Sequence, residues 1–151
     1  MKAFIGSIAL FIVLALASCT AQKALADSDI GEVLSASNTP FDSPITTVGK
    51  GNEYEFTIAV KDSGQYYFDY VWLGETSYEP ILSRVLLDYD RHTPFSAGEI
   101  ATLKVTISNK VDMSTVPNVD KNYEGEAMVA IRHEDLIHYL PVARIKELLS
   151  E

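Results

Sequence analysis

Glu53-Tyr54-Glu55-Phe56-Thr57-Ile58-Ala59-Val60 is the stretch from which the fold class is read. Tyr54, Phe56, Ile58 and Val60 recur at every second position, with Glu53, Glu55 and Thr57 between them. Side chains alternate across a β-strand, so this pattern sends one set into a core and the other to water. The turn-forming run Gly49-Lys50-Gly51-Asn52 precedes it, which makes residues 44–48 the expected preceding strand. On the other side, Asp62-Ser63-Gly64 turns the chain into Gln65-Tyr66-Tyr67-Phe68-Asp69-Tyr70-Val71-Trp72-Leu73. Three strands joined by short glycine-bearing turns predict an antiparallel meander. In strict alternation Tyr66, Phe68, Tyr70 and Trp72 share one face of this third strand. Tyr67, Val71 and Leu73 then share the other with Asp69. A strand apolar on both faces suits a central position with a second layer behind it.

Further along, the period changes. Ile81, Leu82, Val85, Leu86 and Tyr89 fall on one helical stripe, opposite Ser83, Arg84 and Asp88. Ser77 is placed to cap such a helix, and Pro80 lies in its first turn, where a missing N–H costs nothing. Residues 94–98 form a turn, and alternation resumes over 100–107 with Leu103, Val105 and Ile107 inward. A polar loop with Pro117 spans 109–121, and a strand follows over 125–132. Residues 136–142 form a last strand that Pro141 places at an edge. Val142, Ile145, Leu148 and Leu149 alternatively fit a short terminal helix. The expected fold is mainly β: a small antiparallel β-sandwich with one inserted helix, the alternative being a layered α+β fold.

The 151 residues suit one domain, and 47% apolar residues give it material for a core. The amino terminus follows a different logic. Lys2 supplies a positive charge, and residues 3–17 carry none, as in the apolar region of an export signal. That run is at the short limit for a membrane-spanning helix. Leu16-Ala17-Ser18-Cys19 resembles the lipobox of bacterial lipoproteins at all four positions. The resemblance implies cleavage before Cys19 and a diacylglyceryl thioether, with palmitate-type acyl chains, on its sulfur. Several chains at about 0.8 kcal/mol per buried methylene hold a protein stably where one is marginal. Two other readings stay open: an ordinary signal cleaved near Ala24-Leu25-Ala26, and an uncleaved anchor helix. On the lipoprotein reading, residues 1–18 are a signal peptide, 19–39 a lipidated tether and 40–151 the β-rich domain. Thr20 follows the cysteine where an aspartate would resemble an inner-membrane retention mark, so the expected address is the periplasmic face of an outer membrane.

Pro40-Phe41-Asp42, the acidic alternating strand, Gly64-Gln65-Tyr66-Tyr67-Phe68 and the Arg84-bearing segment together resemble a group of uncharacterised Gram-negative lipoproteins with a β-sandwich body. Size, charge and address also resemble periplasmic immunity lipoproteins, a class-level likeness that implies an inhibitor of incoming effectors.

The net charge is −9, and loss of Lys2 with the leader leaves 11 basic against 21 acidic residues, or −10. Such a body repels nucleic acid and anionic headgroups and favours a basic partner. Chemistry is sparse. His133 and His138 stand five apart, not at the four-residue spacing of a helical zinc pair, and His92 or Asp135 would be needed to complete a site. Asp88, Asp90 and Asp112 lack the glycine-bearing loop of a calcium site. Glu53/Glu55 and Glu124/Glu126 are carboxylate pairs on expected outer strand faces. No nucleophile elbow or phosphate-cradling loop occurs, and the single cysteine is assigned to lipid. The expectation is therefore no catalytic residue, no metal and no cofactor beyond the covalent lipid.

The surplus lies in the aromatic run from Tyr66 to Tyr78. Exposed Tyr and Trp anchor protein interfaces, so Tyr67, Asp69, Trp72, Glu75 and Tyr78 are the expected partner-binding residues. A non-enzymatic protein-binding module, in its most specific form an immunity-type inhibitor, is the first functional expectation. A structural or assembly lipoprotein of the envelope is the alternative. Replacing Cys19 with Ser is expected to abolish metabolic labelling with radioactive palmitate and to release the chain from the membrane pellet; unchanged retention would refute lipidation.

Overall fold

The computed structural model describes residues 29–84, 87–88, 93–110 and 123–149. Strand is the only regular element among them, and two sheets result. The first comprises β1 (Gly31–Asp42), β2 (Lys50–Val60), β5 (Ile81–Arg84), β6 (Leu87–Asp88), β7 (Ile100–Ser108) and β10 (Lys146–Glu147). The second comprises β3 (Tyr66–Leu73), β4 (Thr76–Tyr78), β8 (Ala127–His133) and β9 (Leu136–Val142). The first runs in the order β10-β1-β2-β7-β5-β6 and the second in the order β4-β3-β8-β9. Neighbouring strands are antiparallel except β10, which lies parallel to β1.

The mainly β expectation holds, and so does the alternation that supports it. Phe56, Ile58 and Val60 on β2 are buried with Ala101, Leu103 and Val105 on β7 and Leu82 on β5. Across from them Tyr66, Phe68 and Val71 of β3, Val129 and Ile131 of β8 and Leu140 of β9 complete one continuous cluster. Each large apolar side chain fully buried here stabilises the fold by roughly 1.5–3 kcal/mol relative to exposure.

Residues 44–48 do not form a strand. The Ile45 carbonyl accepts hydrogen bonds from the N–H groups of Val48 (2.9 Å) and Gly49 (3.2 Å), which closes a compact turn. The antiparallel partner of β2 is instead β1, in register from Gly31↔Val60 to Asp42↔Lys50. Residues 31–39, expected in the 19–39 tether, therefore belong to β1 and to the sheet that was expected to begin only after Pro40. Two facts conceal this strand in the sequence. A register shift between Val33 and Ser35 breaks its period, and Ser35, Ser37 and Thr39 make its outer side polar. Residues 19–28, Cys19 among them, lie outside the described residues.

The meander is also corrected, because β2 and β3 do not pair. Asp62-Ser63-Gly64 carries the chain from one sheet to the other. Tyr66 then exchanges two backbone hydrogen bonds with Phe95, at 2.9 and 2.8 Å. Gly51 shows why β2 needs a glycine where it meets β7: an added Cβ would stand 2.0 Å from the Ile107 carbonyl oxygen.

The inserted helix is not present over its first turn. Ile81–Arg84 is β5, paired with β7 from Ile81↔Lys104 to Arg84↔Ala101. The stripe misleads because Ile81 and Leu82 are adjacent apolar residues, which a helix can bury together and a strand cannot. Ile81 is 63% exposed and Leu82 is 8% exposed. Val85, Leu86 and Tyr89 lie outside the described residues. β8 begins at Ala127, two residues later than expected, and the carboxy-terminal segment forms β10 in place of the alternative helix.

Leu82→Ala is expected to cost about 2–5 kcal/mol in urea unfolding, and Ile81→Ala to stay within about 0.5 kcal/mol of the parent. Equal losses would restore the helical reading.

Candidate functional site

One extra residue organises the outer face of the four-stranded sheet. β3 pairs with β8 as Tyr66↔His133, Tyr67↔Arg132 and Phe68↔Ile131, then resumes as Tyr70↔Ala130 and Val71↔Val129. Asp69 is the inserted residue of this β-bulge, and beyond it the two faces of β3 exchange. Tyr66, Phe68, Val71 and Leu73 consequently pack into the main core. Tyr70 and Trp72 pack outside it, with Met128, Ala130, Tyr123 and Tyr139. The strict alternation that placed Tyr70 and Trp72 beside Tyr66 and Phe68 is thus overturned at Asp69.

Arg132 holds the bulge. Its Nε donates to Asp69 Oδ2 at 2.9 Å and its Nη2 donates to Asp69 Oδ1 at 3.3 Å, a two-point grip on the carboxylate. The guanidinium carbon lies 4.7 Å from the centroid of the Tyr67 ring, within cation–π range. The hydrogen bond to Asp69 is the leading reason that the Arg132 pKa is raised, so the guanidinium stays charged.

Below this grip the sheet carries Tyr70, Ala130 and Tyr139 on one rung. The small Ala130 leaves space between the two tyrosines. Trp72 meets both edge-on, with ring centroids 6.0 Å from Tyr70 and 5.9 Å from Tyr139 and interplanar angles of 71°. The Tyr123 hydroxyl donates to the Gly74 carbonyl at 2.9 Å and brings its ring onto the same cluster. Burial raises the Tyr123 pKa, so the phenol remains a donor at neutral pH.

The expected partner-binding residues are therefore divided. Tyr67 and Asp69 stand together through Arg132. Glu75 is exposed in the turn between β3 and β4. Trp72 is only 4% exposed and serves as packing under the tyrosines, not as a free anchor. Tyr78, opposite Val71, packs on the inner side against the main core. Sequence reasoning missed Arg132, Tyr123 and Tyr139. They lie fifty or more residues from β3; the β3-β8-β9 pairing brings Arg132 and Tyr139 beside it, and the hydrogen bond to Gly74 brings Tyr123. An arginine at the end of an apolar strand was the one available signal.

Other candidates resolve differently. Lys104 Nζ lies 3.0 Å from Glu55 and 3.5 Å from Glu53, so this carboxylate pair is bridged on the outer face of the six-stranded sheet. Glu124 and Glu126 lie in the bend before β8, not in a strand, and Glu126 accepts the Ile145 N–H at 2.6 Å. His133 and His138 sit on successive strands of a hairpin, and both share the core-facing side, because the turn between them resets the alternation. His133 Nδ1 lies 3.0 Å from the Gln65 carbonyl, and its ring stacks on Tyr66 at 4.7 Å. Among the described residues, no three His, Cys, Asp or Glu side chains gather as a metal-ligand set. His92, Asp90 and Asp112 lie outside those residues. Arg84, expected on a polar helix face, instead bonds Glu99 at 2.8 Å and the Pro94 carbonyl, with its guanidinium 4.4 Å over the Phe95 ring.

Comparison with protein-family models, with curated proteins and with solved structures gives no match for this chain.

The ring of Tyr66 is fully buried while its hydroxyl donates to Asp62 Oδ2 at 3.1 Å. Burial, then the hydrogen bond and charge of Asp62, raise its pKa above the usual tyrosine range. A raised folded pKa contributes stability that is complete below the ordinary value of about 10 and is lost as pH climbs through the folded one. Tyr66→Phe is expected to lose about 0.5–1.5 kcal/mol at neutral pH with the hydrogen bond. It should also decline less than the parent between about pH 9 and 11, as read from urea midpoints. Parallel alkaline declines would show that Tyr66 is not a titrating group of that limb.

Proposed function

We propose that this chain is a lipid-anchored envelope protein that works without catalysis, by presenting the outer face of its four-stranded sheet to a protein partner. In its most specific form it is an immunity-type inhibitor that occludes an effector at the periplasmic side of the membrane. The observation that carries the reading is the second aromatic cluster, ordered on a sheet face that the main core does not use. Packing Trp72 beneath Tyr70, Tyr123 and Tyr139 fixes those rings in advance, so little side-chain entropy is lost when a partner covers them.

Charge sets the kind of partner. Asp69 and Glu75 stand at this face, on a body whose mature charge is −10 by the lipoprotein reading. Arg132 is engaged by Asp69 and lies against Tyr67. A basic surface with apolar protrusions fits the rings and the acidic rim together. The lipobox-like Leu16-Ala17-Ser18-Cys19 supports the address, and the short segment between Cys19 and Ile30 would hold the body close to the membrane.

A photoreactive phenylalanine analogue installed at Tyr67 or Tyr139 of the full chain in living cells is expected to give a discrete crosslinked partner. The same probe at Thr57, outward on the other sheet, should not. Glu75→Lys should reduce the adduct about two- to fivefold at low salt, the scale of one exposed charged contact. Identical adducts from Thr57, or none from either face, would remove the proposal.

A further inference from the structure

Among the described residues, the two sheets leave one side of the sandwich open. β9 is the last strand of its sheet. β1 is covered by β10 at Ser37 and Asn38 alone. Among the described residues, residues 31–36 of β1 therefore have a strand partner only on the β2 side. Between these two edges runs a groove of about 620 Å³, walled by residues 31–36 on one side and 140–144 on the other.

Edge strands present unpaired N–H and C=O groups, which recognise an extended backbone. The chain itself shows that this edge accepts one. Lys146–Glu147 pairs parallel with β1, and Leu148 N–H donates to the Asn38 carbonyl at 2.8 Å. On the opposite wall Pro141 has no N–H to give, so the productive edge is that of β1. Leu34, at the β1 bulge, is 50% exposed on the groove wall and offers an apolar contact.

Charge polarises the groove. Lys61 and Glu32 neutralise each other at 2.7 Å. Asp29 remains at one end. Arg144 stands two residues before Lys146, which is level with Ser37; extending that register sets Arg144 level with Ser35. The separation is about six residues of strand, roughly 20 Å.

We infer that this groove binds an extended peptide segment of a partner protein by strand addition to β1. The segment is about six residues long at strand spacing, runs in line with β10, and is cationic at Asp29 and anionic at Arg144. The inference is independent of the outer aromatic face, which lies on the other side of the second sheet.

The test uses the full chain in detergent micelles and the synthetic peptide KTVTVTE with blocked ends, in millimolar excess. Amide hydrogen exchange is expected to slow at residues 31–36 and to stay unchanged at residues 67–72. Methylating alternate peptide nitrogens on the edge-facing side should weaken binding about tenfold or more, the scale of two lost hydrogen bonds. Asp29→Lys and Arg144→Glu should each weaken it about two- to fivefold at low salt. No slowing at 31–36, or binding indifferent to methylation, overturns the inference. Protection of 31–36 that grows with the concentration of the chain alone assigns the edge to a second copy and overturns it as well. Since residues 67–72 are read in the same experiment, failure here leaves the outer-face proposal standing or falling on its own crosslinks.

Discussion

The grip of Arg132 on Asp69 is the contact on which the division of this molecule into inside and outside depends. A β-strand has only two faces, so one inserted residue exchanges them for everything that follows. Before Asp69, the bulky residues Tyr66 and Phe68 point into the sandwich. After it, the inward positions fall to Val71 and Leu73, while Tyr70 and Trp72 turn out. Without the insertion the indole of Trp72 would enter a core already filled by Phe56, Leu103 and Val129, and an overfilled core costs stability as surely as a cavity does. The bulged carboxylate is held by two hydrogen bonds from a strand that is itself central, so the exchange is anchored where the sheet is least free to move.

From that exchange follow two apolar clusters with different characters. The inner one is aliphatic and aromatic, contributed by both sheets, and accounts for the stability of the fold. The outer one is tyrosine-rich and belongs to one sheet. Tyrosine suits a surface that alternates between water and contact, because its ring packs and its hydroxyl stays hydrated. The end of the sandwich near Phe95 is closed by polar means. Arg84 ties β5 to Glu99 and covers the Phe95 ring, and Tyr66 bonds Phe95 through the backbone. Among the described residues, the side between β1 and β9 has no such closure, and the groove lies there.

What the residues disclosed in advance was the class of fold and the strands with clean period. β2 and β7 alternate without interruption and were legible over nearly their whole length. β1 was not, because serine and threonine fill its outer side and its own bulge breaks the pattern. Ile81 and Leu82 were misread because two adjacent apolar residues suggest a helix that buries both, whereas pairing with β7 buries Leu82 and leaves Ile81 exposed. For the candidate surface, Tyr67 and Asp69 were visible as part of an aromatic run. Arg132, Tyr123 and Tyr139 were not, since a strand records which of its residues share a face but not which strand lies beside it.

The union of β1 and β10 has a further, mechanical meaning. β1 is the first element among the described residues, so a pull that enters them from the amino-terminal side passes through Ile30 into β1. Hydrogen bonds in an antiparallel ladder lie across the strands. A pull along the axis of β1 therefore loads the whole ladder from Gly31–Val60 to Asp42–Lys50 at once, in shear, instead of peeling it pair by pair. β10 adds its bonds to the middle of the same strand. The place where this protein joins its amino-terminal segment is built as a clamp against force along that line.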